Sequence, residues 1–340
     1  MPRRKRLAAS PAAQQTVKVQ RTDTAATGGN GNNESDEDEF NDTDSDDDYR
    51  PNAYEEENER NGSSTSEKDL EEEDDDPPRK VTVIPYEKLR PLDGVEYSDA
   101  RVHRNTVLYL IDLRTNNNRV WFKSHEREFR RAMKDWESFV ETLAPKIIAF
   151  DATISDLPPR DIIFRIYRDV RFSRDQRPYK SHFSAAFSRT GRKRPYACYY
   201  LHLDPGSSYV GGGLWAPEPP TIQLLRQSID ERPEEWRQVL TSEPFRSTFL
   251  PAAKKGRQAA LKAFAAANQE GALKSRPKGY DADHPDVQLL RLRNYHVTKQ
   301  VDDEIFTAED GQEKIIHIIS TLQPFVTFLN GIIMPDQEDS

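Results

Sequence analysis

The chain has 340 residues, with 49 lysines and arginines against 58 aspartates and glutamates, for a net charge of −9. That length admits one large or two ordinary domains. Its single cysteine, Cys198, excludes an internal disulfide framework and fits a reducing compartment.

The charge is unevenly distributed. Residues 1–21 carry six basic side chains and no acids, whereas residues 22–78 carry 23 acids and three basic residues. So few apolar side chains cannot offset the entropy of ordering, so a disordered tail is expected over 1–79, basic over 1–21 and acidic over 22–78. Ser35, Thr43 and Ser45 lie in acidic runs that suit acidophilic kinases; a purely solubilising tail is the alternative. Arg3, Arg4, Lys5 and Arg6 form a cluster with no apolar stretch behind it, which argues against a secretory signal. The cluster favours nuclear import, with a cytoplasmic protein as the other reading.

Pro77 and Pro78 mark the passage to structure, and an extended lead-in with turns follows. Helical pattern begins near 104. Phe122, Phe129, Met133, Trp136, Val140, Leu143 and Ile147 recur at helical spacing and predict one long helix, entered through Asn116, Asn117 and Asn118. Residues 161–172, "DIIFRIYRDVRF", alternate and predict a strand with Arg168 on its apolar parity. "PYACYYLHLD" predicts a second strand, and "GSSYVGGGLWAPEPP" a glycine-rich loop before a helix starting near Thr221. Short helices, a strand at "YHVTKQV" and one packed terminal helix over 315–333 complete the chain. His317, Gln323 and Pro324 interrupt that last apolar stretch, so no membrane partner is expected. Helices before and after a small block of strands predict an α+β fold. The expectation is one globular domain over about 80–335, with a small, mostly antiparallel sheet flanked by helices.

The positive charge of this domain concentrates in one place. Residues 165–195 hold ten lysines and arginines against Asp169 and Asp175, while the remainder of 79–340 is slightly acidic. A local field of that sign favours an anionic partner. Arg165, Arg168, Arg171 and Lys180 would bind phosphate or carboxylate, with Asp169 and Asp175 orienting the guanidiniums. Tyr167 and Tyr179 would stack on a base or sugar, or cover the sheet. Gly211, Gly212 and Gly213 would turn backbone N–H groups toward the anion, with Arg226 one turn into the next helix; a tight turn is the plainer reading. Arg168 on an apolar parity needs a counter-charge, and Asp175 suits that role better than Asp169, which alternates to the other face.

Other chemistries find less support. The histidines (His103, His125, His182, His202, His284, His296 and His317) show no zinc-motif spacing, so no metal site is expected. No Walker loop, G-x-G-x-x-G or G-x-S-x-G is present. His182, beside Tyr179 and Lys180, is the one histidine worth testing as an acid or base. Three readings stay open: a pocket for an anionic small molecule, a nucleic-acid surface, and a scaffold whose charged motif is structural. No catalytic residue, reaction or cofactor follows from the residues alone.

These stretches resemble the DUF2461 family, over about 104–333. The first motif reads "LRTNNNRVWF" at 113–122, carried by Asn117, Asn118, Arg119, Trp121 and Phe122. The second reads "RIYRDVRFSRDQRPYK" at 165–180, carried by Arg165, Arg168, Asp169, Arg171, Phe172, Ser173, Asp175, Pro178, Tyr179 and Lys180. "GGGLWAP" at 211–217 and "RPKGYDADHP" at 276–285 match as well. Arg174 and Arg177 stand where members often have lysines, so positive charge is kept. The resemblance implies no activity, and the acidic tail lies outside it.

Overall fold

The computed structural model describes residues 86–171, 175–253 and 256–334. The basic and acidic stretches of the tail, with Ser35, Thr43 and Ser45, lie outside the described residues, as do Phe172, Ser173 and Arg174 of the central motif.

Helix α1 (Arg104–Thr115) starts at His103, whose ring Nδ1 accepts from the Asn105 N–H at 3.0 Å. Asp135 reaches across from α3 (Glu126–Phe150) and accepts from the His103 N–H at 2.8 Å and the Thr106 hydroxyl at 2.6 Å. These bonds satisfy donors that a helix start leaves open. The spacing predicts one helix from Phe122 to Ile147, but the structure breaks it. Phe122 lies in a short α2 (Arg119–Ser124), and α3 begins after His125. The cause is local: the His125 ring stacks on Trp121 and takes the Trp121 carbonyl at 2.8 Å, ending the first helix with its own side chain. Beyond the break the predicted face holds, with Phe129, Met133, Trp136, Val140, Leu143 and Ile147 all buried.

After α4 (Pro159–Ile162) come the strands β1 (Phe183–Phe187), β2 (Cys198–Leu203), β3 (Tyr209–Leu214) and, much later, β4 (Tyr295–Gln300). They form one antiparallel sheet in the order β1-β2-β3-β4. One face carries Phe183, Ala185, Tyr199, Leu201, Val210, Tyr295 and Val297 into the main core. The opposite face carries Ser184, Ala186, Tyr200, His202 and Tyr209, and only a small apolar group of Phe164, Ala186 and Tyr200 packs there. This polar face of the sheet is where the candidate site forms.

Between β3 and β4 run α5 (Pro219–Glu231), α6 (Pro233–Thr241), α7 (Glu243–Phe249), α8 (Arg257–Ala267) and the single turn α9 (Val287–Leu290). The chain then closes with α10 (Glu304–Thr307), α11 (Gly311–Ser320) and α12 (Gln323–Ile333). The expected single terminal helix is therefore two, bent by 49°. Pro324 sits in the first turn of α12, where a missing N–H costs nothing. Among the described residues no single helix is long and apolar enough to cross a membrane. The α+β class and the antiparallel sheet are as the sequence predicts.

Two further expectations are corrected. Residues 161–171 of the predicted strand form none: α4 ends at Ile162, and only isolated bridges follow, Ile163 to Ala185 and Tyr167 to Tyr179. The alternating segment divides its pairing between β1 and its own continuation, so neither ladder grows. The Phe164 N–H reaches the Ser184 carbonyl at 3.0 Å, whereas Lys180 and Arg168 donate to the Ile166 and Pro178 carbonyls at 2.7 and 2.9 Å. Nor do Gly211, Gly212 and Gly213 form a loop. They lie in β3, between β2 and β4, with backbone groups facing ladders on both sides. Glycine is required there for room. A Cβ would stand 2.3 Å from the Val297 oxygen at Gly211, 2.6 Å from the Cys198 oxygen at Gly212, and 2.3 Å from the Tyr295 oxygen at Gly213. Such a strand presents no N–H nest to an anion.

Candidate functional site

The two motifs of the sequence meet at Tyr179. Asn117 donates to the Tyr179 carbonyl at 2.8 Å and accepts from the Tyr179 N–H at 3.1 Å. Its neighbour Asn118 caps α2 by accepting from the Trp121 N–H at 3.0 Å. Phe122 then stacks flat on the Tyr179 ring, with centroids 3.9 Å apart. Tyr179 is 6% exposed, so it belongs to the core and offers no stacking face to a ligand. The first motif thus pins the arm that carries the second.

With Tyr179 turned inward, alternation sends Lys180 and His182 the other way. Lys180 is 8% exposed, its ammonium 5.7 Å from the Phe164 ring centroid. The β1–β2 register pairs Phe183 with Leu203 and Ser184 with His202; carried one step further, it sets His182 opposite Asp204. The donor atoms of His182, His202 and Asp204 all lie within 4.8 Å of one another. The imidazoles of His182 and His202 have centroids 4.1 Å apart, and Tyr209 stacks on His202 at 4.3 Å. The Tyr200 hydroxyl lies 3.3 Å from His202 Nδ1.

Cations ring this cluster. Arg114, at the end of α1, is bonded to Asp204, and Arg168 pairs with Asp175 at 3.4 Å. Asp175 is shared: Arg177 donates to it from Nε at 2.9 Å. The Arg168 side chain is only 14% exposed, and its Nε is sealed from solvent without a hydrogen-bond partner. Burial, followed by the charges of His202, Lys180, Arg168 and Arg114, holds His182 well below the usual histidine range. Burial and then Lys180 push His202 down to about 3. Both rings are therefore neutral at neutral pH. Asp204 is raised by burial and drawn back by Arg114, while the Arg177 hydrogen bonds bring Asp175 down to about 2.

The structure sorts the residues expected from sequence into different places. Arg168, Asp175 and Lys180 converge on the histidine cluster. Asp169 and Arg171 pair with each other at 2.7 Å on the surface, Arg171 being 73% exposed, and their hydrogen bonds bring Asp169 down to about 2. Arg165 bears on Asp169 rather than on His182. Tyr167 is half-exposed beside Tyr179. Arg226 donates to the Leu290 carbonyl at 2.8 Å and fastens α5 to the segment before β4. Burial pushes the Cys198 thiol up to about 12, too high for a nucleophile at neutral pH.

Sequence reasoning missed Arg114, His202 and Asp204, and read Arg177 only as kept charge. One signal was available. "Lys-x-His" at 180–182 and "His-x-Asp" at 202–204 each repeat polar residues with the period of a strand, at the matched ends of two neighbouring strands.

An antiparallel sheet backed by helices, with a largely buried cluster of Lys180, His182, His202 and Asp204 at the end of its polar face, defines an α+β protein with a preformed polar cluster. The profile described as "Conserved hypothetical protein (DUF2461)" matches residues 105–328, and the chain belongs to this family. No curated protein and no solved structure matches the chain.

Proposed function

We propose that the pocket bounded by Arg114, Arg168, Lys180, His182 and His202 recognises a small molecule through an oxyanion, a phosphate or a carboxylate. The observation that carries this reading is Arg168. Its guanidinium is largely buried, shares the Asp175 carboxylate with Arg177, and keeps an unbonded Nε. A buried donor without an acceptor costs roughly 1–3 kcal/mol, which an incoming oxyanion would relieve. The neutral imidazoles beside it donate hydrogen bonds without adding charge. Tyr209 and Tyr200 supply an aromatic wall for the uncharged part of such a ligand.

Thermal-shift measurements on the full chain test this, with inorganic phosphate, nucleotides, sugar phosphates, carboxylic acids and short single-stranded DNA and RNA. The expected result is a rise of several degrees with one class of small oxyanion, since occupancy at about 100 times Kd contributes roughly 2.7 kcal/mol. A response to oligonucleotides alone, disappearing as salt rises, would replace the pocket with a nucleic-acid surface. No response to any of them would leave the charged motif as structural.

A further inference from the structure

We infer that His182, His202 and Asp204 form a binding site for a divalent first-row transition ion on the floor of this pocket. Two nitrogens and one carboxylate oxygen suit zinc, iron(II), cobalt or manganese; magnesium and calcium prefer all-oxygen shells. The three donors already lie within 4.8 Å of one another. Donors of a closed shell, each about 2.1 Å from the ion, stand roughly 3–3.5 Å apart, so side-chain rotation of about 1 Å completes the set.

A second observation points to a ligand independently. His182 is 9% exposed, and neither of its ring nitrogens is hydrogen-bonded among the described residues. Neither nitrogen is sealed off, so both remain open to an ion or to water from the polar side of the sheet. His202 has what a metal-bound histidine usually shows, a partner for the far nitrogen: the Tyr200 hydroxyl at 3.3 Å from Nδ1 leaves Nε2 to the ion. Arg114 holds Asp204 in the same way from behind.

Lys180 and Arg168 oppose a dication, and that opposition defines the ligand. Asp204 and Asp175 offset part of the charge, and an oxyanion on the ion's open positions would offset more. This inference rests on the oxyanion reading of the pocket for that electrostatic balance. The ion would then polarise the bound anion or a water beside it.

The test is cobalt(II) titration of EDTA-treated full-length protein, following the visible d–d bands, with zinc as competitor. Expected are one equivalent of cobalt bound with nitrogen-ligand bands, displaced by zinc. His182→Gln and His202→Gln should each weaken binding by more than about tenfold while keeping the wild-type circular-dichroism melt. The acidic tail is identical in all three proteins, so weak carboxylate binding cancels. Bands that persist unchanged in both variants, or only the pale spectrum of hydrated cobalt, would overturn the metal site. Phosphate titrated into the metal-free protein separates the two readings. Binding that survives without metal leaves the oxyanion pocket standing when the metal site fails, and cobalt binding without any anion response does the reverse.

Discussion

Gly213→Ala is expected to cost the protein about 3 kcal/mol or more of stability, enough to leave much of it unfolded or insoluble. Gly213 sits in a central strand at φ +121°, a backbone conformation that side-chain-bearing residues rarely adopt. A Cβ there would lie 2.3 Å from the Tyr295 oxygen and 2.8 Å from the His296 Cα, both backbone atoms of β4. Neither can swing aside as a flexible side chain would, so β4 must move or β3 must re-form. Strain of about 1–3 kcal/mol and overpacking of similar size add up to a large part of a typical domain's 5–15 kcal/mol. Gly331→Ala is the matched control. That glycine lies in α12 with nothing within 4 Å of its Cβ position, so alanine there should be neutral or stabilise by up to about 1 kcal/mol. Urea unfolding of the two variants checks both, and equal midpoints would refute the account of β3.

Acid should weaken the fold, and His296 should account for a definable part of the loss. Its ring packs edge-on against Trp215, with Nδ1 sealed from solvent and unbonded. Burial pushes it down from 6.5 to about 4. Between those values the unfolded chain binds a proton that the native protein does not, so stability rises with pH. The contribution is complete above about pH 6.5 and falls by at most about 1.4 kcal/mol per pH unit toward pH 4. That amounts to roughly 2 kcal/mol between about pH 7.5 and pH 5. His182 and His202 act in the same direction, so the comparison with His296→Gln isolates the contribution. The variant should show a shallower loss in urea unfolding across that range. An unchanged slope would mean that the His296 ring protonates freely in the native state.

The fold class and the long apolar face of α3 were legible because they are written in periodicity, which depends only on neighbours along the chain. Arg168's need for a counter-charge was legible too, from its parity against Ile166 and Val170, and Asp175 meets it. Other features depend on contacts far apart in sequence. Tyr179 looks like a stacking residue until Asn117, 62 positions earlier, clamps its backbone and turns its ring onto Phe122. The three glycines at 211–213 carry a loop composition, and only the approach of β4, some 80 residues later, makes them a crowded strand. His182 and Asp204 are separated by a connection whose register no local pattern specifies, so the short polar alternations at 180–182 and 202–204 could not be matched to each other from the sequence.

Two arginines of one motif stand in different surroundings. Arg168 bears its charge on His182 with 14% of its side chain exposed, whereas Arg171, three residues on, is 73% exposed and bonded to Asp169. Isothermal titration of the best small oxyanion from the thermal-shift panel, into wild-type protein and into Arg168→Ala and Arg171→Ala, tests that separation most directly. Arg168→Ala is expected to lose about 10- to 100-fold in affinity, the value of a charge-assisted hydrogen bond, while Arg171→Ala changes it less than about threefold. Equal losses from both variants, or a loss only in Arg171→Ala, would contradict a pocket at the histidines and move recognition to the exposed surface of the motif.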